Sequence, residues 1–128
     1  MKKNGFTLVE LLAVIVVLGL IMTIVSSLVI NIKKKANQKE VESLYSTIKN
    51  LGADVYLSKK EDNACYSATW LKKNGYLKSE VKNPAKSNDT CKAYLIVNKK
   101  NNNMFEAYIN CEGLESIGTL PNDESSCK

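Results

Sequence analysis

From Phe6 to Ile32 the chain runs for 27 residues with a single charge, Glu10. A helix of that length rises about 40 Å, more than the roughly 30 Å hydrocarbon core of a bilayer. The run is too long for the apolar region of a cleaved secretory signal, which covers about 7 to 15 residues. It therefore reads as a membrane-spanning helix. Everything after Asn31 is polar on average and must form a separate soluble part, large enough for a small core.

A carboxylate inside such a span is expensive and by default points to function. Thr7-Leu8-Val9-Glu10 is a capping box, S/T-x-x-E, and an acid in the first turn suits the helix dipole. That local role explains how Glu10 is tolerated. It leaves unexplained the short basic leader, with Lys2 and Lys3, that ends in Gly5 just before Phe6.

Composition removes several chemistries. All 18 basic residues are lysine, histidine is absent, and the net charge is +5. No Ser-His-Asp triad, Cys-His pair or histidine metal site can be built, and arginine forks for phosphate are lacking. The chain reads as a non-enzyme without cofactors. Residues 33 to 100 hold 15 lysines against seven acids, and residues 106 to 128 hold five acids and one lysine. Such a surface is either simply solvated or has weak affinity for an anionic polymer such as DNA or a wall teichoic acid.

Four cysteines, Cys65, Cys91, Cys111 and Cys127, all follow the apolar run and contain no C-x-x-C pair. An even count in a small exported domain favours two disulfides, with three connectivities open. Cys65–Cys91 and Cys111–Cys127 are preferred, the first tying the segment after the helix to a strand and the second closing the C-terminal loop. Lysines flank both ends of the span, so charge leaves its orientation ambiguous. Disulfides need an oxidising compartment, which places the soluble part outside.

Gly5-Phe6-Thr7-Leu8-Val9-Glu10-Leu11-Leu12 resembles the class III signal of type IV pilins and of the pseudopilins of type II secretion and competence systems. The resemblance covers about the first quarter of the chain. It implies that a prepilin peptidase cuts between Gly5 and Phe6 on the cytoplasmic face and methylates the new amine of Phe6. Gly5 suits the cut, because a residue without Cβ lets catalytic groups approach the backbone. Loss of the leader leaves 16 lysines against 13 acids, a net +3. The resemblance further implies that Glu10 attracts the amine of a neighbouring subunit as the helix joins a filament. Gly19 falls where many pilins carry a glycine. Ser27 stands where many relatives carry a proline, which argues against a kink there.

Beyond the span, Val41, Leu44, Tyr45, Ile48, Leu51 and Val55 recur at three- and four-residue steps and form one apolar stripe. No proline interrupts residues 6 to 58, so one helix of roughly 50 residues is expected. Ser67 to Asn74 reads as a short second helix closed by Gly75. An extended stretch should begin at Gly75-Tyr76-Leu77, and Asn83-Pro84 marks a loop. Cys91, Ala93, Leu95 and Val97 share one face of an alternating run, as do Phe105, Ala107, Ile109 and Cys111 of a second. The Asn-rich turn between them makes a β-hairpin. Asn122-Asp123-Glu124 lacks the spacing of a calcium loop, and Asn88-Asp89-Thr90 fits a glycosylation sequon.

The expected fold is α+β, type IV pilin-like. Its long N-terminal helix is membrane-spanning in its first half and amphipathic in its second, where it packs on a small antiparallel sheet. The expected division is a cleaved leader (1–5), a transmembrane and filament-core helix (6–32), its amphipathic continuation (33–58) and an exported head (59–128). The expected function is a structural prepilin, processed by prepilin peptidase and passed by a pilus assembly platform from the membrane into a helical polymer outside the cell. The alternatives are a pseudopilin of a competence or secretion pseudopilus, a minor tip subunit holding DNA or a surface ligand, and an anchored domain that never assembles.

Overall fold

The computed structural model describes Gly5 and Thr7–Lys128. A single helix, α1, runs from Leu8 to Lys59, 52 residues, matching the uninterrupted helical pattern of the sequence. It is followed by β1 (Asn63–Ser67), α2 (Ala68–Lys73), β2 (Lys92–Asn98), β3 (Phe105–Asn110) and β4 (Ile117–Gly118). The chain divides into two compact units, one ending at Lys35 and the other comprising Ala36–Lys128. Phe6 lies outside the described residues.

In the first unit the large apolar side chains from Leu8 to Ile32 are 45 to 82 % exposed. Backbone hydrogen bonding is satisfied within the helix, the one condition a bilayer imposes on a single span. The hydroxyls in this stretch are satisfied too. Thr23 donates to the Leu20 carbonyl at 2.7 Å, Ser26 to Met22 at 2.7 Å and Ser27 to Ile24 at 2.9 Å.

The second unit is α+β. Its sheet is fully antiparallel in the order β1-β2-β3-β4. The register sets Tyr66, Leu95 and Ala107 side by side on one face, with Ala64, Val97 and Phe105 in the next row and Ala93, Ile109 and Ile117 in a third. That face meets the helix stripe. Val41, Ile48 and Val55, seven residues apart, are 0 to 1 % exposed, and Leu44, Tyr45 and Leu51 are half-buried beside them. Burying each such aliphatic side chain contributes roughly 1.5–3 kcal/mol.

Two glycines permit this packing. Gly52 faces Phe105, whose Cγ lies 2.6 Å from where a Cβ would stand, so the ring rests directly on the helix backbone. Gly118 has φ +89°, and a side chain there would strike the Ala107 carbonyl and the Tyr45 ring. At the end of α1, Lys60 takes a left-handed φ of 55° and its N–H closes the helix on the Tyr56 carbonyl at 2.7 Å.

Several sequence expectations change. The stretch after Gly75 is irregular, with one bridge, Lys82 to Thr90. Helix α2 does form, with Ser67 as its N-cap accepting from the Trp70 N–H at 3.2 Å, and Gly75 follows it at φ +82°. Strands β1 and β4 were not anticipated. The preferred disulfide pairing is also wrong: the bonds are Cys65–Cys127 and Cys91–Cys111. Lys92 pairs with Asn110, so the next residues outward, Cys91 and Cys111, stand directly opposite with Cα atoms 4.4 Å apart. That is about the spacing of a non-hydrogen-bonded antiparallel pair. The Cys91 N–H is indeed turned away, to the Val81 carbonyl at 2.8 Å.

Candidate functional site

Gly5 and Thr7, from the segment that resembles a processing signal, precede α1. Gly5 is exposed, and nothing lies within 4 Å of the position a Cβ would take. Two residues on, the capping box forms as its spacing predicted. The Glu10 N–H donates to Thr7 Oγ1 at 3.2 Å, and the Thr7 N–H donates to Glu10 Oε2 at 3.1 Å. The Leu11 N–H donates to the Thr7 carbonyl at 3.1 Å and begins the helical ladder. The Glu10 carboxylate is therefore held, exposed, on the amide next in sequence to the amine that a cut after Gly5 would create. Gly19, further along the span, has open space around its Cα.

Residues 119 to 128 form a strap across the sheet. The chain leaves β4 at one edge and the Tyr94 hydroxyl donates to Glu124 at 3.3 Å on the outer face. It ends in the bond between Cys127 and Cys65. The Lys128 N–H donates to the Cys65 carbonyl at 2.9 Å, and the Ser67 N–H donates to the Lys128 carbonyl at 2.8 Å. Lys128 thus makes a parallel bridge along the otherwise unpaired side of β1, an edge that would invite pairing with other chains.

Charge ties the strap down as well. Glu61 accepts from the Tyr66 hydroxyl at 3.0 Å and from the Lys128 ammonium at 2.5 Å. The Lys128 hydrogen bond, with that of Tyr66, holds the Glu61 carboxyl below its ordinary value. Burial, reinforced by Glu61, pushes the Tyr66 phenol up to about 12. Tyr66, Trp70 and Tyr76 form a run of rings with centroids 4.4 and 5.9 Å apart, and the Lys59 ammonium lies 5.6 Å from the Trp70 ring.

The acidic residues near the C-terminus are engaged by protein. Asp123 accepts from the Ser125 hydroxyl and, at 3.0 Å, from the Ser125 N–H, and these bonds hold its carboxyl below the usual range. Asn88 lies exposed in a turn, and Asp89 beside it accepts from the Thr90 N–H at 2.9 Å.

Two polar anchors escaped the sequence reading. Gln38, on α1, donates to the Glu115 carbonyl and accepts from the Glu115 N–H, both at 3.1 Å, a two-way latch on the β3–β4 loop. Asn83 is 2 % exposed and donates to the Glu112 carbonyl at 2.9 Å while accepting from the Ala85 N–H at 2.9 Å. The Asn-Pro pair signalled a loop at Asn83, but nothing in the sequence signalled that the amide would be buried.

Residues 1–26 match the family model of the prokaryotic N-terminal methylation motif. The match takes in the Gly5–Leu12 stretch read as a class III signal, the kind of motif found in prepilin-type proteins. No curated protein and no solved structure matches the chain. The helix carries a stretch long and apolar enough to cross a membrane, none of it buried, which fits membrane anchoring.

Proposed function

We propose that this chain is the structural subunit of a type IV pilus. The observation that carries the reading is an N-terminal methylation motif continuous with an exposed apolar helix, followed by a disulfide-bonded head. The leader, residues 1–5, is removed by prepilin peptidase at Gly5–Phe6, and Phe6 becomes N-methylated. Residues 6–32 then anchor the subunit in the cytoplasmic membrane with the head (59–128) outside, and residues 33–58 carry the helix into the head.

Cleavage places a cationic amine at Phe6, four residues before Glu10 in the sequence. A carboxylate and an amine in a low-dielectric bundle attract strongly, while either alone is penalised. Glu10 thereby favours leaving lipid only when the amine of a neighbouring subunit is there to meet it. The assembly platform stacks subunits so that apolar helices line the core of the filament and heads face outward. No step requires catalysis by this chain.

Mass spectrometry of intact protein and N-terminal peptides tests the proposal, using membrane and sheared-surface fractions of the native host without reduction. The expected chain begins at monomethylated Phe6 and is four hydrogens lighter than its reduced form. Recovery in the sheared fraction supports a pilus, and confinement to the membrane fraction supports a short pseudopilus instead. A chain that retains Lys2 and Lys3 overturns processing and leaves only an anchored domain.

A further inference from the structure

Lys33, Lys34 and Lys35 follow the apolar run without a break in α1, and all three are exposed. Successive helical residues turn about 100°, so three in a row spread charge round most of the helix. They form a collar rather than a stripe. Acids that could neutralise them on their own helix would stand three or four residues away. Those positions hold Val29, Ile30, Asn31, Ile32, Ala36, Asn37, Gln38 and Lys39, and no acid. Among the described residues, the ion pairs are Lys72–Glu80, Lys86–Glu112, Lys99–Asp62 and Lys128–Glu61. None involves the collar.

Its distance from Glu10 indicates what it meets. Glu10 and Lys33 are 23 residues apart, an axial rise of about 35 Å, just over the roughly 30 Å hydrocarbon thickness. With Glu10 at one boundary of the core, the collar falls in the headgroup layer of the other. Lysine side chains there extend toward the phosphates while their methylene stems remain against the apolar boundary.

We infer that Lys33, Lys34 and Lys35 form a binding collar for anionic phospholipid headgroups on the side of the membrane where the head lies. The collar fixes the depth of the span before assembly. It also gives extraction into a filament an electrostatic cost that salt reduces. The inference rests on the membrane-spanning reading of α1 and not on polymerisation.

The test uses the full chain reconstituted at high dilution in vesicles of phosphatidylcholine and phosphatidylglycerol. Lys2→Gln and Lys3→Gln are included so that the leader contributes nothing. Electron paramagnetic resonance of spin-labelled lipids measures how strongly each headgroup associates with the protein. The expected preference for phosphatidylglycerol is about five-fold or more, since a lysine beside an anionic surface is worth roughly that factor. It should fall to near unity in the triple Lys→Gln variant of Lys33, Lys34 and Lys35, and persist in the triple Lys→Arg variant.

Equal preference in the parent and the Lys→Gln variant overturns the collar. So does suppression by inorganic phosphate far beyond that by chloride at equal ionic strength, which would mean a site for a free anion. A preference that vanishes on dilution would mean contact between copies of the chain and overturns it as well. If alkali strips the chain from the vesicles, the spanning helix fails together with the collar. If the chain stays embedded without headgroup preference, the collar alone fails.

Discussion

The two halves of α1 share a secondary structure and little else. From Leu8 to Ile32 the large apolar side chains all stand exposed, whereas between Val41 and Val55 every seventh residue is sealed against the sheet. The first half has a satisfied backbone and unsatisfied side chains, so its apolar surface needs lipid or other helices. The second half is amphipathic, and its side chains are covered by its own chain. Whether a helix is complete depends on what covers its surface rather than on its hydrogen bonds.

The largest expected effects come from the disulfides, which lie beyond α1 in the part of the chain that covers its second half. Cys65–Cys127 and Cys91–Cys111 span 62 and 20 residues. Replacing each pair with alanine should cost the head about 4 and about 3 kcal/mol respectively in denaturant unfolding, on loop entropy. Reduction of the native protein should open them in a set order. Cys91 and Cys111 are 7 % and 0 % exposed, while Cys65 and Cys127 are half-exposed, so the strap bond should be reduced first. Peptide mapping of alkylated thiols reads this directly, and simultaneous opening would show that the strap does not move independently.

Next comes a matched pair of truncations in the two halves of the helix. Ile48→Ala should lower unfolding free energy by about 3 kcal/mol, the usual cost of a buried aliphatic truncation. Ile15→Ala, measured in detergent, should leave the unfolding of the head within about 0.5 kcal/mol. Equal losses would break the contrast between the halves. Gly52→Ala sharpens it, because the Phe105 ring must shift although alanine is the better helix former. A net loss of about 1–2 kcal/mol is expected. Lys60→Gly should do the reverse, adding about 1 kcal/mol by relieving the left-handed φ that closes α1.

A last contrast is in pH. Glu61 titrates below its ordinary value of 4.5 in the fold, so its stabilising contribution is present above that pH and is lost as pH falls further. Tyr66 titrates above its ordinary value of 10.0, at about 12, so stability should decline as pH rises between these values. Lys128→Gln should weaken the acid arm of a stability–pH curve while leaving the alkaline arm, set chiefly by burial of Tyr66, largely in place.

Much of the chain was legible because its signals are local. The apolar run, the capping box at Thr7 and Glu10, the stripe through Ile48 and the hairpin alternation are patterns of spacing, and each forms where expected. Strand β1 was hidden because Asn63–Ser67 shows no alternation, and β4 because two residues carry no period. Both exist through their neighbours in the sheet. The Gln38–Glu115 latch joins residues 77 apart in sequence and leaves no local trace.

The sequence by itself determined the N-terminal methylation motif, the long helix, the division of that helix into apolar and amphipathic halves, and the presence of two disulfides in place of free thiols. These follow from periodicity, charge placement and cysteine count. Only the tertiary structure decided which cysteines pair, which edge of the sheet the strap covers and why Gly52 and Gly118 stand where they do. A disulfide forms between residues whose Cα atoms come within several ångströms of each other, and strand register sets that distance. Register is fixed by the burial of a whole face at once, so no single segment of the sequence contains it.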